Sequence, residues 1–455
     1  MFWRPGSRNR TFKKRMSSLN KESLLDSLIS ISLLLFLFLY PLVLHPLVYA
    51  SALGLVSRDS IKTLDFFYEP RAWFLFWSCS ILLIIWSLRF FKMGTWGHRD
   101  RGMDLFLLFL ILTALASTLF SLEPLTIFGA ERRREGFLTL LSYFSLFLLT
   151  QDFLSEGKWR RLALSVILAS GFLVALYGIL QAVSIEILPR DFIRADWVGS
   201  FSTIGNPIFL GSYLLLLIPL PLYFFQDSSR WKKMLLLSLS LFFTAALVLT
   251  GSRGAWIGLA AMLLFFLFTG KKQKLLLAAF SVLMILLVCL LFTVNLGGIN
   301  LWERLKASFN FDPQNTFMNR LYIWSRALPS ILRYPVFGWG PDSFGIAFPQ
   351  FSYQESLMLF NNGYAYVDKA HNDLIQVAVT LGIAGLLAYL AFLVRLFSLI
   401  YPGRHSDSLS IYTLPALFGY LVSLELSFSV VSVAPLFWAL AGISVGGLKY
   451  HAQTA

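Results

Sequence analysis

What most constrains this chain is a succession of apolar runs, each long enough to cross the roughly 30 Å of hydrocarbon in a bilayer. They fall at about 27–49, 72–90, 103–121, 136–154, 159–182 and 207–226, then at 234–250, 255–269, 275–295, 374–395, 412–432 and 434–449. Little sequence remains between them, so the expected fold is an all-α polytopic membrane protein of about twelve transmembrane helices. Only 14% of the residues are charged, where a soluble domain carries about 25%. The net charge of +14 comes from short basic stretches between the runs. That is an orientation signal rather than a phosphate-binding stripe, and nucleic acid is not an expected partner. Cys79 and Cys289 both sit inside apolar runs, which argues against a disulfide framework or a thiolate metal site.

Direction follows from the basic residues. Met1–Asp26 is polybasic. The run after it is too long for a cleavable signal core of about 7–15 residues, although Ala50-Ser51-Ala52 imitates a cleavage site. It reads as a retained first span, with His45 buried inside it. With the N-terminus inside, the inner segments hold 23 Lys or Arg and the outer ones 15, six of them in one long loop at 296–370. Loops of that length are exempt from the positive-inside rule. Both termini are therefore expected inside and the long loop outside. The expected organisation is a basic cytoplasmic N-terminus (1–26), spans one to nine (27–295), the outer loop (296–370) and spans ten to twelve (371–449). Within the loop, Phe317, Leu321, Trp324, Leu328 and Ile331 recur at steps of four and three and so mark one face of a helix. Arg320, Arg326 and Arg333 flank that stripe, so the helix is expected to lie along the membrane surface. Pro335 and the Gly338-Trp339-Gly340-Pro341 turn end it.

On this topology the outer face collects cations. Arg132, Arg133 and Arg134 precede span four, Arg253 sits in the tight turn Thr250-Gly251-Ser252-Arg253-Gly254, and Arg320 lies on the surface helix. Each is by default a snorkelling anchor or a headgroup contact. Glu425 falls inside span eleven, about 10 Å below its outer end at 1.5 Å per residue. Intramembrane acids are costly, so it is expected to be either functional or paired with one of those arginines.

His371 is the one histidine in polar sequence on the outer face, at the entry to span ten. Asn372 suits an N-cap and Asp373 the positive end of the helix dipole. That end disfavours imidazolium, while Asp368 and Asp373 favour it. Ala378, Gly382 and Gly385 share the face of His371 and form a small-residue groove for another helix or a lipid chain. Asp368, His371 and Asp373 lack a second histidine or paired cysteines, so no metal site is expected. There is no phosphate-binding glycine loop with lysine. The chemistry that fits is transfer from an anionic lipid-linked donor: arginines stabilise the charge on a departing diphosphate, and a histidine deprotonates an acceptor hydroxyl. A glycolipid transporter or flippase is the rival from another class, but transporters place their polar groups near the midplane on interrupted helices.

These motifs carry a resemblance. Residues about 125–445 resemble the O-antigen ligase and polymerase superfamily of bacterial envelope glycosyltransferases. The strongest element is His371-Asn372 followed, after nine residues, by Gly382-x-x-Gly385, preceded by a long outer loop. "NRLYIWSRALPSILRYPVFGWG" from Asn319, "LTGSRGAWIGL" from Leu249, "GSFSTIGNPIFLGSYL" from Gly199 and "ERRREG" from Glu131 support it in order. The resemblance implies a metal-independent enzyme with no cofactor, working at the outer face of the cytoplasmic membrane. Its donor would be an undecaprenyl-diphosphate-linked glycan. The acceptor would be lipid A–core in a ligase, another lipid-linked repeat unit in a polymerase, or a protein side chain in related members. The His-Asn-x9-Gly-x-x-Gly pattern favours the ligase. By similarity His371 would be the base, while Arg320 and Arg253 would bind diphosphate or the acceptor's anionic groups. The triple arginine does not say which of Arg132, Arg133 and Arg134 takes part.

Overall fold

The computed structural model describes residues 8–52, 55, 65–93, 101–121, 123, 126–131, 133–187, 199–225, 227–269, 274–293, 301–306, 316–363, 365–401 and 409–454. Every regular element among these is helical. Each of the twelve apolar runs overlaps a helix. The first half holds α1 Arg8–Leu39, α2 Tyr68–Met93, α3 Arg101–Phe120, α4 Phe137–Phe153, α5 Gly157–Ala182 and α6 Pro207–Leu217. The second holds α7 Arg230–Leu249, α8 Arg253–Thr269, α9 Lys274–Phe292, α10 Asp373–Ile400, α11 Ser410–Leu424 and α12 Ala434–Thr454. Among the described residues seven helical stretches, in α1–α3, α5–α7 and α10, are long and apolar enough to cross a membrane; those in α4, α8, α9, α11 and α12 are apolar but shorter.

Burial sorts these helices. Leu214, Leu215, Leu216 and Leu217 of α6 are wholly enclosed, as are Leu414, Leu417 and Tyr412 of α11. In contrast, α2 and α3 turn Trp77, Ile84, Leu88, Leu105 and Leu112 outward. Apolar side chains on all faces, half of them uncovered, are what a helix at a lipid boundary shows. Inside, small residues let backbones touch: a Cβ at Gly258 of α8 would lie 2.6 Å from the Gly419 carbonyl oxygen of α11.

Three expectations need correction. The first run is not one span: α1 ends at Leu39, a 3-10 turn covers Tyr40–Leu42, and a separate helix Pro46–Ala52 follows. Pro41 and Pro46 cannot donate helical hydrogen bonds, and half-buried His45 lies in the gap between them. Span eleven ends early, with Glu425 as the C-cap of α11 rather than a residue in mid-helix. The third concerns the groove on α10.

Gly382 interrupts that helix with φ 71° and ψ −175°. At Gly382 the backbone of residues 335–340 fills the small-residue face. Trp339 N–H donates to the Val379 carbonyl (3.0 Å) and Gly340 N–H to Thr380 (2.9 Å). Ile383 N–H donates back to Pro335 (2.8 Å) and Ala384 N–H to Val336 (3.2 Å). These bonds satisfy four backbone groups freed by the break, the condition under which non-helical backbone persists inside an apolar helix. The approach is close enough that a Cβ on Gly382 would sit 2.2 Å from the Val336 oxygen.

The amphipathic helix Thr316–Arg333 leads into that segment. Its apolar stripe divides. Ile323 and Ala327 are buried with Phe344, Phe348, Val367, Ala370 and Val379, and Trp324 and Ile331 pack partly against them. Phe317, Leu321 and Leu328 stay exposed.

Candidate active site

The entry to α10 is fixed from several sides. Asn372 caps the helix as expected, its Oδ1 accepting from Ile375 N–H at 2.9 Å. Its Nδ2 donates to the backbone carbonyl of Glu425 (3.1 Å) and to Oε2 of the same residue (2.9 Å). Glu425 therefore clamps the cap instead of pairing with an arginine. Asp373 accepts from Ser429 N–H (3.0 Å) and from the Tyr389 hydroxyl (3.1 Å). Just upstream, Ala370 donates to Gln376 Oε1 (2.9 Å) and accepts from the Trp324 indole (3.0 Å). Between these anchors His371 is held at φ 52°, a conformation that a residue with a side chain adopts when its surroundings dictate it.

The imidazole of His371 is partly buried, with its Nδ1 enclosed. Its Nδ1 has no hydrogen-bond partner in the structure, and its ring stands edge-on to Phe428 at 5.4 Å. Burial lowers its pKa to about 4, the Arg320 and Arg133 charges adding to the effect and Asp368 opposing it. The histidine is thus neutral at physiological pH, the form a base needs.

Three of the cations around it are paired. Arg133 meets Asp368 at 2.8 Å. Arg134 turns the other way to Glu69 at 2.6 Å, lying over the Trp73 ring. Of the arginine triplet, then, Arg133 faces the histidine and Arg134 does not; Arg132 lies outside the described residues, as do His98 and His405. Lys369 and Asp342 form a nearly fully buried pair at 2.5 Å. The second Asp342 oxygen accepts from the backbone N–H groups of Ala130 (2.7 Å) and Glu135 (3.1 Å), tying the arginine loop to the turn after Pro341.

Arg320 differs. It has no carboxylate partner among the described residues, and burial together with the nearby Arg253 charge lowers its pKa to about 10. Arg253 is the first residue of α8, after a tight turn with Gly251 at φ 66°. A helix N-terminus is an unfavourable place for a cation and a favourable one for an anion. The site therefore joins His371, Arg320, Arg253 and Arg133, with Glu425 and Asp342 in supporting places. A cavity of about 450 Å³ between helices Thr316–Arg333 and Tyr353–Phe360 is lined by Tyr322, Arg326, Phe351 and Glu355 and not by His371.

Sequence reasoning missed Asp342, Lys369 and Phe428. Lys369 stands two residues before His371, but nothing local marks its partner 27 residues upstream. It also missed Arg71 of α2, which is wholly buried and donates to the carbonyls of Tyr40, Pro41, Phe67, Thr203 and Ile204 and to the Ser432 hydroxyl.

An apolar helical assembly thus holds a half-buried histidine beside clustered arginines. Residues 235–390 match the family model described as O-antigen ligase, and the match supports the O-antigen ligase superfamily, membrane glycosyltransferases of ligase and polymerase type. The matched stretch is about a third of the chain and includes Arg253, Arg320, His371 and the break at Gly382, but not the arginine triplet or Glu425. No curated protein matches the chain.

Proposed function

We propose that this protein transfers a glycan from undecaprenyl diphosphate to an acceptor hydroxyl at the outer face of the cytoplasmic membrane, as an O-antigen ligase joining glycan to lipid A–core. The twelve apolar helices would cross the membrane with both termini inside, so that residues 296–370 and His371 face outward. The observation that carries the reading is the placing of a half-buried neutral imidazole near Arg320, a cation without a carboxylate partner among the described residues, inside the segment matched to O-antigen ligases.

In the reaction, the acceptor oxygen bonds to the anomeric carbon of the donor sugar as the bond from that carbon to the diphosphate oxygen breaks. The electron pair leaves with undecaprenyl diphosphate, and the acceptor's proton passes to an imidazole nitrogen of His371. Arg320 and Arg253 hold the diphosphate and stabilise its growing charge, an effect strongest where water is excluded. Because the Arg320 charge helps depress the imidazole, a bound anion offsets it and raises the basicity of His371 when the donor arrives. The interrupted α10 resembles a transporter's discontinuous helix. Its freed backbone groups are bonded to residues 335–340, however, which leaves them unavailable to a solute.

The test uses purified protein, a donor glycan on undecaprenyl diphosphate, EDTA and lipid A–core, comparing wild type with folded His371→Ala. Glycan joined to core by wild type, with a loss of about 10²–10⁴ in the variant, is expected. A ladder of repeat units in place of the core product would make it a polymerase, and full activity in the variant would remove His371 as the base.

A further inference from the structure

We propose that Phe428 is a positioning residue for this site, a single ring on which the base and two paired cations are set. The inference rests on the glycosyl-transfer reading for its consequence, but not for its geometry. Phe428 lies in the connection between α11 and α12 and is 3% exposed. The His371 ring stands on it at 5.4 Å and 69°. The Arg133 guanidinium lies 5.5 Å from its centroid and the Lys369 ammonium 5.7 Å. Phe209 of α6 supports the ring edge-on at 5.4 Å.

A core phenylalanine needs only apolar neighbours. This one has an imidazole and two cations, each already bound to its own carboxylate, Asp368 and Asp342. The negative face of an aromatic ring attracts cations, so the ring and the acids together fix where those charges sit. The connection that carries the ring is itself pinned. Ser429 N–H bonds Asp373, Val431 N–H bonds the Glu135 carboxylate, the Val431 carbonyl accepts from the Tyr40 hydroxyl, and Ser432 accepts from Arg71. Phe428 is thus delivered under His371 by bonds to the turn after α1, to α2, to α10 and to the arginine loop. Arg133 and Lys369 are held against it, and Arg320 remains without a carboxylate partner among the described residues.

The test separates the ring's electrostatics from its packing. Phe428→Leu removes the ring, and 3,4,5-trifluorophenylalanine placed at 428 keeps its shape while withdrawing charge from its face. Two readouts are taken on protein that elutes as a single folded species: side-chain NMR titration of His371, which needs no substrate, and transfer kinetics. The charged groups facing or flanking the imidazole are Arg320 from the amphipathic helix, Arg133 from the arginine loop, Asp368, Lys369 and Asp373 from its own stretch, and Glu425 from the end of α11. In Phe428→Leu we expect the His371 titration to move away from its wild-type position, because Arg133 and Lys369 lose the ring that fixes them near the imidazole, and kcat to fall about tenfold, with little change in donor KM. The fluorinated ring should fall between the leucine variant and wild type in both readouts. A fluorinated protein identical to wild type would reduce Phe428 to packing and overturn the proposal. So would a leucine variant with an unmoved His371 titration. If wild type transfers no glycan, the titration still decides the role of Phe428, and only the transfer reading fails.

Discussion

Arg71 and Arg320 are both arginines without a carboxylate partner among the described residues, and they teach opposite lessons. Arg71 is wholly buried, but five backbone carbonyls and a serine hydroxyl take up its guanidinium donors. These acceptors come from the turn after α1, from the residue just before α2, from the 3-10 turn Ser202–Ile204 and from the connection before α12. That charge is spent on holding four parts of the chain together. Arg320 sits beside another cation, Arg253, with its charge uncompensated. A cation bound to carbonyls belongs to the fold; one kept near a second cation is the one the proposed reaction would use to hold an anion.

The contrast can be broken at either end. Arg71→Met should cost upward of about 4 kcal/mol, because it strands several buried carbonyls at once, and should be seen as a loss of monodisperse protein or a collapse in Tm. A stable Arg71→Met would show that those carbonyls find other donors. Lys369→Ala should come next, at about 3–5 kcal/mol, since it leaves Asp342 buried with its charge unmatched; thermal unfolding in detergent checks it. Arg320→Gln should leave Tm nearly unchanged and lower kcat/KM about 10²–10³-fold. It should also move the acidic limb of kcat/KM. With Arg320 present, burial and that cation hold the free imidazole near about 4, so activity falls only as pH drops through that value. Removing the cation raises the histidine's pKa, and the limb shifts toward neutral. A limb that stays in place would separate Arg320 from His371. The smallest effect is expected for Arg134→Gln, below about 1 kcal/mol, because its pair with Glu69 is partly solvated and points away from the histidine.

Much of the frame was legible in the sequence because a bilayer asks for length and apolarity, which composition reports directly. Hence each of the twelve runs overlaps a helix, and the Asn372 cap and the entry at His371 follow from local rules. What stayed hidden depends on partners far away in the chain. Gly382 looked like a packing glycine, since the segment that fills its break lies more than 40 residues upstream. Arg133 and Arg134 are neighbours with the same side chain, and only Asp368 and Glu69 send them to different places. Glu425 was placed in mid-span because apolar residues continue past it, whereas the helix ends there and Asn372 uses its carboxylate. Arg71 bears no local mark, its acceptors being carbonyls that every residue owns.

The seam between residues 335–340 and the broken α10 has a mechanical consequence. The strip that closes the break continues directly from the helix bearing Arg320, and Trp339 also donates its indole N–H to Ser330 within that helix, at 2.8 Å. Swinging the helix aside to widen the approach to His371 would tear backbone bonds out of α10 at the same moment. Arg320 and His371 are therefore geared together through the main chain: the distance between them is set by a hasp rather than a hinge, and a bulky substrate must enter past the pair without prising it open.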